Sequence, residues 1–270
     1  MSNENSNIDE TPRLPSAKAS PEPELPKARF DDYYAIYSPI PYVEDIVRGL
    51  EYDIPFSLMD ALSEEIGFFL RGKGIRVTFV GSCHGLEAMV LKYGLLKADI
   101  ITRWSDETAA FERLPSPESG LEATLVDSEP EPLRFARTIG LADETHVVDL
   151  TKPYPPALEE RLRTKTDLIV ACGIIPYIGA KGLHLMLDAA FVKGSARYLC
   201  FSMPNYLNEN EIVSTCEQAG LTLKKMGVFR QRKYRDPAES SRITKLLAKA
   251  GRLFQEDHVY MRSAAFMACR

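Results

Sequence analysis

Hydrophobic and polar positions follow one another along the chain in blocks that predict strands and helices in alternation from residue 75 onward. Short apolar runs predict strands, and apolar residues at three- and four-residue spacings predict the helices between them. Strict alternation of this kind favours a parallel sheet with helices on both faces. The predicted strands span residues 75–80, 123–126, 146–148, 167–171 and 197–202, and the helices 86–96, 132–139, 156–163, 181–190 and 208–219.

The end of the chain departs from this alternation. Two further strands are predicted at 221–229 and 259–267, with a short helix at about 237–250 between them. Because no full-length helical crossover separates these strands, we expect an antiparallel pair at the edge of the sheet. The predicted fold class is therefore α/β: a Rossmann-like, doubly wound, mostly parallel seven-stranded sheet with an antiparallel last strand.

The N-terminal region divides into two parts. Residues 1–28 are rich in proline, serine and charged side chains, which predicts a disordered tail. Residues 29–70 are rich in aromatic side chains and end in a helix predicted at 57–70. We expect residues 29–70 to form a helical, aromatic lid on a domain at 71–270, although packing of a helix onto the sheet would explain the aromatic residues equally well. The candidate lid residues are Tyr33, Tyr34, Tyr37 and Tyr42.

Composition narrows the expected partners. The formal net charge of −5 argues against nucleic acid as the main partner, because phosphate binding needs a positive surface. No apolar run of about 18 residues predicts a membrane span, and the N-terminus shows no secretory signal. The cysteines and histidines are scattered, which favours a reduced cytoplasmic protein without a metal site. A homodimer is left open.

Glycine and aspartate residues follow directly after the predicted strands. A glycine turn after the first strand lets the backbone approach a ligand closely. Asp127, at the end of the second strand, can accept both hydrogen bonds of a ribose diol, and Asp149, after the third, would border an adenine. A tight turn and ordinary exposed loop acids are the alternative explanations. The candidate cofactor-binding residues are Gly81, Ser82, Cys83, Gly85, Asp127, Ser128, Asp149, Leu150, Cys172 and Gly173.

The glycine spacing argues against a dinucleotide site. A dinucleotide-binding turn that began at Gly81 would need glycines at positions 83 and 86, where Cys83 and Leu86 stand. A side chain at position 83 would hinder a pyrophosphate more than a methionine moiety. The antiparallel end of the sheet points the same way.

The segments 77–85, 126–127, 148–149 and 167–170, in this order, resemble motifs I to IV of class I S-adenosylmethionine-dependent methyltransferases. The resemblance covers about residues 70–270 and implies S-adenosyl-L-methionine as the cofactor. A bacterial group of such enzymes is similar in three further segments, at Tyr52–Pro55, Lys92–Gly94 and Phe229–Arg232.

Three features depart from the pattern of that family. Phe79 stands where the family usually has an acid, and Cys83 replaces the middle glycine. Residues 97–121, which include Trp104, extend the connection to the second strand. They are interpreted either as an inserted loop or small helix near the adenosine side, or as an idle surface excursion.

Three side chains are candidates for catalysis. His84 lies in the glycine turn, and a neutral imidazole titrates near the working pH. Tyr177 follows the fourth strand, where the resemblance places the acceptor, and Tyr37 could act from the lid. Each has a structural alternative: a helix cap for His84, and core or wall packing for the tyrosines. Glu87, in the first turn of the following helix, is a further candidate base, and an acid favoured by the helix dipole is the alternative explanation.

The leading hypothesis is a methyltransferase acting on a small molecule in secondary metabolism. Phe79 and Cys83 support an alternative, a non-catalytic S-adenosylmethionine-binding regulator. A nicotinamide-dependent oxidoreductase is the third, with the glycine spacing against it. The basic stretch at 224–252 could dock an anionic acceptor, RNA or a carrier protein, or could be a solvated helix face.

Overall fold

The computed structural model describes residues 30–72, 74–252 and 259–270. The tail predicted at residues 1–28 lies outside the described residues. The strands are β1 (Arg76–Val80), β2 (Glu122–Asp127), β3 (Glu144–Val147), β4 (Leu168–Ala171), β5 (Tyr198–Pro204), β6 (Thr222–Lys233) and β7 (Tyr260–Cys269). The α-helices are α1 (Asp31–Tyr34), α2 (Ile54–Leu70), α3 (Leu86–Tyr93), α4 (Lys97–Trp104), α5 (Pro130–Thr138), α6 (Pro156–Thr164), α7 (Ile175–Leu187), α8 (Glu209–Gln218) and α9 (Pro237–Lys249). Tyr42–Gly49 and Asp188–Val192 are π-helical, and Ala109–Phe111 form a 3₁₀ turn.

The seven strands form one sheet in the order β3-β2-β1-β4-β5-β7-β6. Strands β1 to β5 are parallel, whereas β7 runs antiparallel to both β5 and β6. The predicted fold class is confirmed, including the antiparallel pair at the edge. The last strand is not itself the edge strand, because β7 inserts between β5 and β6.

Both faces of the sheet are buried, because successive side chains of a strand point alternately into two hydrophobic cores. In β1, Val77 and Phe79 face one hydrophobic core, while Val80 faces the other. In β4, Val170 and Ala171 divide between the two cores in the same way. Continuous apolar runs with both faces covered are typical of parallel strands. Phe79 is fully buried, so the position at which the family usually carries an acid belongs to the core here.

Two helix ends differ from the predicted ones for local reasons. Helix α3 ends at Tyr93 rather than at residue 96, because Gly94 adopts φ of 65° and closes the helix. Helix α7 begins at Ile175 rather than at residue 181, with Pro176 in its first turn and a kink at Gly179.

The inserted segment at 97–121 is not an idle excursion. It forms α4 and a 3₁₀ turn, and Trp104 at the end of α4 is fully buried. The indole ring packs edge-on against Phe135 of α5, with ring centroids 5.5 Å apart. The insertion therefore covers one hydrophobic core of the sheet.

The N-terminal residues pack into that same core. Tyr42, Val43, Ile46 and Val47 are buried along the π-helical segment. Their packing carries the chain over the carboxyl ends of the strands, where it joins α2. The separate lid segment proposed for residues 29–70 stays a prediction.

Candidate functional site

A cavity of about 520 Å³ opens at the carboxyl ends of β1, β2 and β4, under the N-terminal segment. This volume lies within the range of ~300–1,000 Å³ usual for small-molecule sites. The structure brings most of the predicted site residues together around it. Those that line the cavity are Gly81, Ser82, Cys83, Asp127, Ser128, Asp149, Cys172, Gly173 and Tyr177.

The turn after β1 is built on left-handed backbone. Gly81, Cys83 and Gly85 have φ of 66°, 47° and 88°. Cys83 keeps the conformation that favours glycine, at a cost of about 1–2 kcal/mol for a residue with a β-carbon. A β-carbon on Gly81 would lie 2.7 Å from the side chain of Ile174, which follows β4. The turn and the end of β4 therefore pack closely, and glycine at position 81 is a steric requirement.

Asp127 fixes the same turn from β2. Its Oδ2 accepts a hydrogen bond of 2.7 Å from the Cys83 amide, and its Oδ1 accepts one of 3.1 Å from the Glu129 amide. Burial raises the pKa of this carboxyl above its ordinary value, although the amide donors oppose that rise. Each carboxylate oxygen has two lone pairs, so both can accept a further hydrogen bond from a ligand in the cavity.

Asp149 stands at the rim in a different environment. Lys152, followed by Thr151, lowers the pKa of the Asp149 carboxyl to about 2. The side chain is exposed, ionised and paired with the Lys152 ammonium at 2.8 Å, so a ligand at the rim meets an ion pair there.

Ser82 lines the cavity and carries a buried hydroxyl. Its Oγ has no hydrogen-bond partner among the described residues, and the residue is only 5% exposed. Buried polar atoms in native proteins are nearly always hydrogen-bonded. This orphaned hydroxyl is the feature expected where a polar ligand completes the site.

His84 does not line the cavity, and its position does not suit a catalytic base. Its ring is fully buried and lies against Tyr42, Phe135 and Trp104. Its Nε2 lies 2.9 Å from the carbonyl oxygen of Ile36. Burial lowers the pKa of His84 to about 4, so the imidazole stays neutral near pH 7. We assign His84 to packing between the glycine turn and the N-terminal segment.

Tyr37, the third catalytic candidate, also lies outside the cavity. Its ring stacks on Phe111 at 5.6 Å, and the Arg134 guanidinium covers it at 4.0 Å. Among the candidate lid residues, Tyr34 and Tyr42 line the cavity, whereas Tyr33 does not. The aromatic segment is thus divided between the cavity wall and packing on the inserted segment.

Two predicted cofactor-binding residues serve the core instead. A β-carbon on Gly85 would lie 2.7 Å from Leu141 and 2.9 Å from Leu125, so this glycine allows α3 to pack against its neighbours. Leu150 is buried in the core on the other face of the sheet. Neither residue lines the cavity.

Glu87, a candidate base for which the helix dipole was the alternative explanation, lines the cavity. It lies in the first turn of α3 and is 7% exposed. Burial raises the pKa of its carboxyl to about 7, and the charge of Asp127 adds to that rise. A hydrogen bond from the Cys172 thiol opposes it. Its position two residues after the last glycine of the turn was the available signal, because the first turn of such a helix borders the strand ends.

Part of the cavity wall comes from strand β6, which lies far from the glycine turn in the sequence. The Asp53 amide donates a 2.8 Å hydrogen bond to the carbonyl oxygen of Gln231. This bond holds the neighbouring Tyr52 at the cavity wall. Arg232 also lines the cavity, and its guanidinium makes hydrogen bonds of 2.6 and 2.9 Å to the Glu239 carboxylate. The resembling segments at Tyr52–Pro55 and Phe229–Arg232 therefore meet at this site.

The basic stretch is largely balanced by nearby acids. Lys224 pairs with Glu65, and Lys225 pairs with Glu209. Arg232 and Lys233 pair with Glu239 and Glu51. These contacts favour the interpretation of the stretch as a solvated, ion-paired face rather than an anion-docking surface.

Within residues 30–72, 74–252 and 259–270, no group of three or more metal-ligating side chains is close enough to hold a metal ion. Over the same residues, no helix is long and apolar enough to cross a membrane.

No protein-family model matches the sequence, and no curated protein matches it. Solved structures similar to the chain include magnesium protoporphyrin IX methyltransferase from Synechocystis with bound SAM (S-adenosylmethionine). It is 13% identical with a TM-score of 0.44, and the match covers 85% of this chain and 84% of that one. A cyclopropane-fatty-acyl-phospholipid synthase-like protein from Lactobacillus casei is 9% identical with a TM-score of 0.46, covering 86% and 99%. A TehB-like SAM-dependent methyltransferase from Corynebacterium glutamicum is 13% identical with a TM-score of 0.43, covering 79% and 87%. Similarities this distant do not establish a reaction, so the functional conclusion rests on the residues of the cavity.

Proposed function

We propose that this protein is an S-adenosylmethionine-dependent methyltransferase whose cofactor and acceptor both bind in the cavity at the strand ends. The observation that carries the proposal is Asp127, a buried carboxylate at the tip of β2 that lines the cavity and receives the amide of the glycine turn. In a sheet of this topology, ligands bind outside the carboxyl ends of the strands. A carboxylate at this position suits the two hydroxyls of a ribose.

The residues present fit this cofactor. The unpartnered Ser82 hydroxyl offers a polar contact within the turn, where the methionine end would lie. Asp127 would hold the ribose, with Ser128 beside it. Asp149 would border the adenine at the rim. Cys172 and Gly173, after β4, would border the methionine portion.

When bound, S-adenosylmethionine supplies a methyl group that its sulfonium makes electrophilic. The residues of the chain then have to position an acceptor, exclude water and accept a proton. Positioning alone contributes up to about 7–11 kcal/mol in favourable cases. Tyr34, Tyr42 and Tyr177 line the cavity and would provide the apolar walls with polar tips that this task requires.

The acceptor is proposed to be a small molecule, as in secondary metabolism. The cavity volume is that of a small-molecule site. Ion pairs with nearby acids leave the basic stretch little positive surface on which a large anionic partner could dock. A nicotinamide-dependent oxidoreductase is the weaker candidate, because Cys83 and Leu86 line the cavity where a dinucleotide-binding turn would have glycines. A non-catalytic binding protein would retain the cofactor site and show no turnover with any acceptor.

Calorimetric titration with S-adenosylhomocysteine and, separately, with NADH tests the proposal. We expect micromolar binding of S-adenosylhomocysteine alone, and loss of at least tenfold in affinity in Asp127→Ala. The matched control is Asp106→Ala, which also removes a carboxylate that caps backbone amides but lies outside the cavity. Tighter binding of NADH, or equal losses in the two variants, would overturn the proposal.

A further inference from the structure

Acidic side chains outnumber basic ones around the cavity. Five carboxylates line it, against a single cation among the described lining residues, Arg232. The guanidinium of Arg232 is paired in a bidentate contact with the fully buried Glu239, so little of its charge is left for a ligand. The five carboxylates are Asp31, Glu87, Asp127, Glu129 and Asp149.

Two of the five carboxylates are buried, Asp127 and Glu87, and the backbone of the turn does not engage Glu87. Glu87 is 93% buried, whereas Asp149 is exposed at the rim and Asp127 is engaged by the backbone of the turn. Within the described residues Glu87 forms no salt bridge, and its neighbour Cys172 is an uncharged thiol donor. A buried carboxylate without a cation is costly. A positively charged ligand would remove that cost.

Aromatic side chains line the cavity that Glu87 also lines, and Tyr42 and Tyr52 lie close enough to interact with its charge. Tyr34, Tyr42 and Tyr52 line the same cavity, and burial raises the pKa of each phenol well above its ordinary value. The rings are therefore neutral, and a neutral tyrosine ring can attract a cation through its π face. A cation held between aromatic faces and one carboxylate is a recurrent mode of ammonium recognition.

We propose that Glu87 and the wall of Tyr34, Tyr42 and Tyr52 bind the acceptor, and that the acceptor is a cationic amine. This inference rests on the proposed function, which assigns the Asp127 side of the cavity to the cofactor. An ammonium N–H can pass its proton to a Glu87 carboxylate oxygen, which becomes a neutral carboxyl and leaves the lone pair on nitrogen. Glu87 would then both recognise the acceptor and prepare its nucleophile. An anionic acceptor would be repelled by the same carboxylate.

Calorimetry on the full-length protein saturated with S-adenosylhomocysteine tests this with three matched probes: phenethylamine, 2-phenylethanol and 3-phenylpropionate. We expect the amine to bind at least tenfold more tightly than the alcohol, and the acid to bind more weakly than both. In Glu87→Gln the advantage of the amine should disappear, while affinity for S-adenosylhomocysteine changes less than threefold. Glu118→Gln, which removes an exposed charge far from the cavity lining, should behave as wild type.

A measurement on the wild-type protein covers the case in which Glu87→Gln does not fold. Because the Glu87 pKa is about 7, a bound ammonium should ionise the carboxyl and release up to about one proton per site at pH 6, and almost none at pH 8. Titration in buffers of different ionisation enthalpy measures this release. The groups that face Glu87 are Cys83, Cys172, Tyr42 and Tyr52, which stay protonated at both pH values, and Asp127.

The outcomes separate the two proposals. If S-adenosylhomocysteine binds but the amine has no advantage over the alcohol, or releases no proton at pH 6, the amine acceptor is wrong and the methyltransferase stands. If S-adenosylhomocysteine does not bind, the proposed function fails, and amine binding without it would leave only a cation site.

Discussion

The Nε2 atom of His84 lies 2.9 Å from the carbonyl oxygen of Ile36, and this contact joins the glycine turn to the N-terminal segment. The ring is buried between Tyr42 and Phe135, so His84 does not line the cavity although the adjacent Cys83 does. The contact holds the tyrosine-rich segment over the strand ends, which makes His84 a structural link.

His84→Leu should therefore destabilise the fold. The substitution keeps an apolar side chain in the core but leaves the carbonyl oxygen of Ile36 without its donor, at a cost of about 1–3 kcal/mol. Urea unfolding measures the loss, and hydrogen exchange should show faster opening of residues 30–50. The control is His184→Leu at an exposed position of α7, where little change is expected. Unchanged stability together with lost turnover would restore His84 as a catalytic candidate.

Gly81→Ala should cost more unfolding free energy than the left-handed backbone angle at this position alone would explain. Gly81 and Gly120 have nearly equal φ of 66° and 63°, but a β-carbon on Gly120 would meet no atom within 4 Å. Gly120→Ala therefore measures the conformational cost alone, about 1–2 kcal/mol. The β-carbon on Gly81 also collides with Ile174, so Gly81→Ala should cost at least about 1 kcal/mol more and weaken S-adenosylhomocysteine binding. Equal unfolding free energies for the two variants would show that the packing against Ile174 is unimportant.

The protein should lose far more stability when one partner of the Arg232–Glu239 ion pair is replaced than when both are. Both side chains are almost completely buried, at 3% and 0% exposure. Arg232→Met alone removes the bidentate cationic partner of a fully buried carboxylate, and we expect a loss of about 3–5 kcal/mol. The double variant with Glu239→Leu removes both charges and should recover a large part of that loss. A double variant no more stable than the single one would contradict this account.

Glu87 should make the stability of the protein depend on pH in an unusual direction. The folded pKa of about 7 lies above the ordinary value of 4.5, so the folded state binds more protons between these values and the contribution of Glu87 weakens as pH rises through this window. Glu87→Gln abolishes that penalty. It should exceed wild type in unfolding free energy by about 1–3 kcal/mol at pH 8, and by little at pH 4.5.

Urea unfolding of wild type and Glu87→Gln across pH 4.5–8 checks this expectation. The difference between the two proteins isolates Glu87 from His84, whose pKa is displaced in both. A difference that is constant across the range would show that the Glu87 carboxyl is not perturbed.

The sequence by itself determined the fold and indicated where on it the candidate site lies. Alternating apolar blocks specify buried parallel strands with helices between them, and the break in alternation after β5 specified the antiparallel pair. Gly81, Asp127 and Cys172 could be placed together because parallel strands bring their carboxyl ends to one edge of the sheet. These relations depend on local pattern and strand polarity, which the sequence carries directly.

Only the tertiary structure decided which side chains face the cavity. In the turn, Cys83 lines it while the adjacent His84 enters the core, because the backbone reverses direction between them and the packing of Tyr42 and Trp104 determines where each side chain fits. Arg232 reaches the cavity through the packing of β6, which lies more than a hundred residues after the glycine turn. Contacts at such separation depend on how the whole chain packs, and no local pattern specifies them.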